Sequence, residues 1–432
     1  MGCAFGPDAA VADTVDQLPD LSKLKHVIVM MRENRSFDHY LGAYDREQDP
    51  PLGERANPDP SRHKMQKRFH EAQYCTRNPD HEWNAVHLQY NNGRLDGFVV
   101  ATNNSDANDQ GCVAMGYYTR EDIPFYYWLA DHFAISERYH AALLGPTMPN
   151  IMFYYYASSC NSTENVEASG SHWIDSACRN RPTIFKLIEA SGHSAQVYSD
   201  AQVDIPGLGL RAAPQAAAAV VLAGYPPSSA RTIDRFRQDV LAGTLADVVF
   251  VEPNYKSIPL SVGGGTENDE HPPSNVQDGQ AFLFERITEV MNQPAIWNSS
   301  VVFVTWDEHG GYYDHVVPPS ACAPDENSPP SFDFKHLGFR TPFFAISPFA
   351  REHYVSRNTA DHTSIARFIE AWLGLGALTK RDANAWPLFD MFDFEHPRAI
   401  DIPPTSLAEK STDFEHVGMC NSGHETSTCV TP

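Results

Sequence analysis

Short, almost unbroken apolar runs recur along this chain at residues 25–31, 194–199, 247–251, 300–306 and 342–346. Runs of that length suit strands buried on both faces of a sheet, since a strand with one wet face would alternate. Between them lie stretches with helical spacing of apolar residues, at 124–133, 183–191, 233–242, 280–291 and 363–373. The alternation predicts an α/β fold with a mostly parallel central sheet flanked by helices. Residues 1–22 read as an irregular, acidic lead-in, 23–400 as one large domain and 401–432 as a peripheral tail. The polar connections 45–80 and 255–278 are long for a compact domain, which marks them as functional or disordered.

Charge narrows the partners. Over 432 residues, 55 acidic against 32 basic side chains give a net charge of −23. A nucleic-acid binder would need a basic face to neutralise phosphates, so that class is excluded, and adsorption to strongly anionic membranes is disfavoured. No apolar run reaches the ~20 residues of a membrane span. The longest weakly polar stretch, 212–225, is interrupted by Pro214 and Gln215. None of the eight cysteines forms a Cys-x-x-Cys motif. The close spacings Cys160–Cys178 and Cys420–Cys429 suit disulfides in an oxidising compartment. Sequons at Asn103, Asn161 and Asn298 agree with export. The expected location is secreted, periplasmic or cell-surface, with any signal peptide already removed. Oligomeric state is not legible.

Ligands of open α/β sheets bind beyond the carboxyl ends of the strands. The first apolar run leads into Arg32-Glu33-Asn34-Arg35-Ser36-Phe37-Asp38-His39. The third leads into Glu252-Pro253-Asn254-Tyr255, and the fourth into Asp307-Glu308-His309-Gly310-Gly311. Adjacent carboxylates at a strand end repel when desolvated, and a bound cation removes that penalty. Glu33 and Asn34 add a carboxylate and an amide oxygen, and such an all-oxygen set suits a hard divalent ion. Gly310-Gly311 allows another backbone to come close behind. Among 19 histidines, His271 in Asn268-Asp269-Glu270-His271-Pro272-Pro273 is the strongest acid/base candidate, because nothing structural calls for so acidic a connection. His39, His81 and His362 each follow an Asp able to orient the ring, namely Asp38, Asp80 and Asp361. There is no Gly-x-Ser-x-Gly elbow and no phosphate-binding Gly-x-x-x-x-Gly-Lys-[Ser/Thr] loop. Thr147, in Gly145-Pro146-Thr147-Met148-Pro149-Asn150, precedes a helical segment. Spacing alone favours a plain helix N-cap there.

The segment Lys25-His26-Val27-Ile28-Val29-Met30-Met31-Arg32-Glu33-Asn34-Arg35-Ser36-Phe37-Asp38-His39-Tyr40-Leu41-Gly42 resembles the opening motif of the bacterial and plant non-specific phospholipase C and acid phosphatase family. The later segments around Thr147 and His271, Thr305-Trp306-Asp307-Glu308-His309-Gly310-Gly311-Tyr312-Tyr313-Asp314-His315-Val316, and Asp361-His362-Thr363-Ser364 agree in order. The resemblance implies an alkaline-phosphatase-like three-layer core over residues 23–400. It implies one divalent ion (Ca, Mg, Mn or Zn) on Glu33, Asn34, Asp307, Glu308 and Thr147. Thr147 falls at the family's nucleophile position, which replaces the N-cap reading, while His271 and His81 fall at phosphate-contacting or proton-donating positions. His309 and His362 are weaker candidates. Threonine rather than serine as nucleophile points to a phospholipase C acting on phospholipid, with transient contact to a membrane or micelle surface. The alternatives are an acid phosphatase acting on phosphomonoesters and, more remotely, a non-catalytic lipid- or metal-binding protein.

Overall fold

The computed structural model describes residues 19–45, 49–105, 111–165, 181–200, 202–205, 210–212, 230–255, 261–262, 267–324 and 334–422. An eight-stranded sheet forms its centre. Its strands are β1 (His26–Arg32), β2 (Ala134–Ser136), β3 (Ala195–Ser199), β4 (Ala230–Thr232), β5 (Val248–Glu252), β6 (Ser300–Trp306), β7 (Phe343–Ile346) and β8 (Tyr354–Ser356). They lie in the order β4-β3-β5-β1-β6-β7-β2-β8. Only β7 runs against the others, being antiparallel to both β6 and β2. All five expected runs are strands of this sheet, and every residue of β1, β5, β6 and β7 is buried, as strands covered on both faces require.

Helices cover both faces. Those used below are α1 (Phe37–Leu41), α2 (Pro124–His132), α3 (Thr147–Tyr156), α4 (Ile184–Ala190), α5 (Ile233–Ala242), α6 (Val276–Met291), α7 (His362–Leu373) and α8 (Phe414–Ser422). Phe250 and Phe303 are both in register with Val29, so they share one face. Phe185 of α4 meets Phe250 at 4.9 Å there, and Phe368 of α7 meets Phe303 at 5.1 Å. Tyr126 of α2 packs on Trp306 at 5.4 Å from the other face, and Phe236 of α5 packs on Tyr198 at 5.3 Å. The result is the expected three-layer α/β architecture.

Two expectations need correction. The connection 45–80 contains ordered pairing: Ala56–Asp59 pairs with Lys64–Lys67, and Phe69–His70 with Gly116–Tyr117. Cys420 bonds to Cys75, 345 residues away, not to Cys429. Cys420 lies on α8, which stacks His416 on Tyr74 at 4.8 Å, so tertiary docking chose the partner and sequence spacing did not. Cys160 is disulfide-bonded, and Cys178 lies outside the described residues. The bonded cysteines fit an oxidising compartment.

Candidate active site

β1 and β6 are parallel neighbours with Arg32 opposite Trp306. The residues that follow must therefore emerge side by side. The Asp307 N–H donates to the Arg32 carbonyl (2.9 Å), and the Arg35 N–H to the Glu308 carbonyl (3.0 Å). Asn34 sits between them with φ +64°, a conformation asparagine tolerates better than most residues, and its N–H donates to Asp307 Oδ1 (2.8 Å). Glu33 is buried beside it, its N–H donating to the Asp269 carbonyl at 3.0 Å. Gly310, at φ +67°, lets this happen: a Cβ there would lie 2.2 Å from the Asn34 carbonyl oxygen. Gly310→Ala is therefore expected to cost about 3 kcal/mol and to loosen whatever Asn34 holds, checked by thermal melts and by metal titration.

Thr147 arrives from the other direction, as the first residue of α3. The N-cap is Pro146, and no side chain caps that end. The Thr147 side chain lies close to the Asp307 carboxyl instead. The entry loop is pinned by Asn150, whose Oδ1 accepts from the Leu143 N–H (3.1 Å) and whose Nδ2 donates to the Gly145 carbonyl (2.8 Å). Thus Thr147 is held against the strand ends by a buried amide. The N-cap reading is not what the side chain does.

The cluster holds buried oxygens for which the described residues supply no hydrogen bond. Asn34 Oδ1, Asp307 Oδ2 and Glu308 Oε1 are buried and accept no hydrogen bond. Burial and the neighbouring Glu308 push the Asp307 carboxyl well above the usual range, and burial pushes Glu308 up to about 7. Buried oxygens left without partners are costly. The three belong to residues that follow adjacent parallel strands, and a hard divalent ion is a partner such oxygens accept. The donor set fits such an ion.

A second buried group, Asp38, Asp314 and His315, has ligand atoms close together but a different character. Arg340 contacts Asp38 Oδ1 at 2.7 Å and Asp314 Oδ1 at 2.9 Å, while His315 Nδ1 bonds Asp38 Oδ2 at 2.7 Å. Against the effect of burial, Arg340 and His315 hold the Asp38 carboxyl down to about 2. A guanidinium already supplies the neutralising charge here, and a metal would be repelled by it. This group is an internal ion-pair network.

The model of the phosphoesterase family matches residues 24–376. The chain belongs to this family. As a phosphoesterase it is a phosphoric ester hydrolase, and all the residues just described fall inside the matched span. It is 29% identical over 423 residues to a protein named phospholipase C A from Mycobacterium tuberculosis, covering 87% of this chain and 78% of that one. It is also 29% identical over 410 residues to non-specific phospholipase C6 from Arabidopsis thaliana, covering 89% and 75%. Among solved structures, a protein of the alkaline phosphatase superfamily from Vibrio parahaemolyticus aligns over 83% of this chain and 69% of its own, with 9% identity and a TM-score of 0.39.

The histidines of this phosphoesterase sort by contact. His81 donates from Nδ1 to the Pro79 carbonyl (2.9 Å), which leaves Nε2 to accept from the Asn34 amide (2.9 Å). That bond fixes the Asn34 amide with its Oδ1 left without a partner. Its ring stands 5.6 Å from that of His271, roughly perpendicular. Burial, with His81 beside it, lowers His271 to about 3. His309 is tied to Gln89 at 2.7 Å and to Glu308 at 3.1 Å, and His362 bonds the Asp307 carbonyl and Tyr139. None of the rings of His39, His81 and His362 bonds the Asp before it among the described contacts. Neighbours in sequence point apart on helices and extended segments, so adjacency misleads.

The acidity around His271 also has a structural cause, contrary to expectation. Asp269 Oδ1 accepts from the His271 N–H (3.0 Å) and the Ser274 hydroxyl (3.2 Å), and Asn268 Oδ1 accepts from the Asn254 N–H (2.7 Å). Asn150 and Gln89 escaped sequence reading; the only signal for them was their place in or beside a motif.

Proposed function

We propose that this phosphoesterase is a phospholipase C, hydrolysing the glycerol-side phosphodiester of phospholipids through a phospho-threonine intermediate on Thr147. The observation that carries the reading is Thr147 at the start of α3, close to Asp307, one of three residues there with a buried oxygen that accepts no hydrogen bond. Relatives named phospholipase C support the diester substrate over a phosphomonoester. Glu33, Asn34, Thr147, Asp307 and Glu308 would hold one divalent ion, which when bound lowers the pKa of a nearby hydroxyl and offsets charge on phosphate oxygens. Thr147 gives up its hydroxyl proton to bulk water, its Oγ forms the new bond to phosphorus, and the bond to the glycerol oxygen breaks. The helix N-terminus of α3 favours the anionic group that Thr147 meets. His271 donates the proton that the departing alkoxide needs. Its ring is neutral in the substrate-free site, and the negative charge of an arriving phosphate raises its affinity for a proton. Water then cleaves the phospho-threonine, releasing the phosphorylated headgroup. Transient contact with a membrane or micelle surface and an extracytoplasmic location complete the proposal. No helix among the described residues is long and apolar enough to cross a membrane.

The test compares phosphocholine release from phosphatidylcholine vesicles with phosphate release from a simple phosphomonoester, each with and without chelator. The reading expects at least a tenfold preference for the diester in kcat/KM and loss of both activities on chelation. Preference for the monoester would assign the protein to the acid phosphatase branch.

A further inference from the structure

We propose that Glu270 is a positioning residue: its buried carboxyl locks the loop carrying His271 into register with both cation-binding strand ends. This rests on the reading of His271 as the proton donor, and it adds a residue that touches neither substrate nor ion. His271 sits on a connection between β5 and α6, and such segments are mobile unless held. The side-chain bonds of Asp269 shape the turn, while the Glu33 N–H on the Asp269 carbonyl (3.0 Å) and the Asn254 N–H on Asn268 Oδ1 (2.7 Å) tie only the start of the loop to the strand ends.

Glu270, the residue next to His271, is anchored by its side chain. Its carboxyl is fully buried and draws on four other elements or strand ends. Oε2 accepts from the Tyr40 hydroxyl of α1 (2.7 Å) and from Trp306 Nε1 (3.0 Å) at the end of β6. Oε1 accepts from the Tyr126 hydroxyl of α2 and faces Arg32 Nε at 3.7 Å at the end of β1. Trp306 immediately precedes Asp307, and Arg32 immediately precedes Glu33, so one carboxyl grips the stem of each ligand pair. The backbone carbonyl of Glu270 also accepts from Arg35 Nη2. Burial and Glu270 itself push the Tyr40 and Tyr126 phenols upward, which keeps them protonated as donors.

Two further observations are independent of those bonds. Glu270 has φ +77°, a left-handed conformation that side-chain-bearing residues rarely adopt and that surrounding structure must enforce. Facing it is Gly279 of α6, where a Cβ would fall 2.2 Å from Glu270 Cγ. Helix α6 has thus been left without a side chain at the place where the Glu270 stem passes. A general acid must be held within a fraction of an ångström of its proton acceptor, and such an anchor meets that need.

The test separates positioning from mere stabilisation by leaving-group chemistry. Two phosphocholine diesters are compared, one releasing nitrophenol, which leaves without protonation, and one releasing an aliphatic alcohol, which needs the acid. His271→Ala is expected to slow the alcohol substrate about 100-fold and the nitrophenyl substrate less than tenfold. Glu270→Ala and Gly279→Ala should reproduce that selective loss in folded protein, and Glu270→Ala/His271→Ala should be no slower than His271→Ala alone. Gly279→Ala displaces the carboxyl without removing it, so it keeps the test open should Glu270→Ala fail to fold. Glu270→Gln, which can still accept from Trp306 and Tyr40, should recover part of the rate. If His271→Ala slows both substrates equally, the donor reading falls, and this proposal with it. If His271→Ala is selective while Gly279→Ala and the Glu270 variants slow both substrates equally, only the positioning role of Glu270 is overturned.

Discussion

Thr147→Ala is expected to lower kcat on a phosphodiester by about 10⁴-fold or more, because no other hydroxyl replaces the nucleophile and what survives comes from binding alone. The fold should tolerate the change. Thr147 does not cap α3 and its side chain is only partly buried, so the cost is about 1 kcal/mol or less. Thr147→Ser should keep most of the rate, since it retains the hydroxyl on the same backbone. Rapid-quench experiments with labelled phosphodiester should trap phosphate on the wild-type chain and none on Thr147→Ala. A fully active, correctly folded Thr147→Ala would remove the covalent mechanism.

The second large effect concerns the ion. With the metal stripped, Asp307 and Glu308 are buried carboxyls whose proton affinity is raised on folding, Glu308 from 4.5 to about 7. A group raised in this sense stabilises the fold fully below its unfolded pKa and loses that contribution as pH climbs through the folded value. The metal-free protein should therefore lose stability between about pH 4.5 and pH 7, by about 3 kcal/mol for Glu308 alone. Saturating divalent ion should flatten this dependence, because it binds the ionised pair, and should raise the melting temperature further with concentration. Asp307→Asn should weaken both the pH dependence of the stripped protein and the stabilisation by metal. Melting curves across that pH range, with chelator and with excess Ca, Mg, Mn or Zn, check this. Identical curves in chelator and metal would mean that the cluster binds no ion.

Much of the fold was legible because strand burial is written locally. The run at 300–306 could be read as a doubly buried strand from its residues alone, and the structure places all seven of its residues inside. The short strands β2, β4 and β8, each of three residues and the last two at the edges of the sheet, were missed. Such strands carry too few residues for a pattern, and sheet pairing defines them. At the site, the oxygen-rich strand ends could be read directly, and the structure brings Asn34, Asp307 and Glu308 together with Thr147. The proposed role of Thr147 entered only through family resemblance, since a threonine before a helix looks like a cap until Pro146 is found in that position.

Residue identity and order by themselves determined the α/β alternation, the polar groups at the strand ends and the glycines that admit close backbones. Those features depend on neighbours within a few positions. Tertiary structure alone decided which polar groups meet. It joined Cys75 to Cys420, gave Asp38 to Arg340 and His315 rather than to His39, and set His81 behind Asn34. It also turned the acidic loop before α6 into an anchored one through Glu270. A buried charge takes its partner from whatever the packed core brings within hydrogen-bonding reach, and distance along the chain carries almost no information about that.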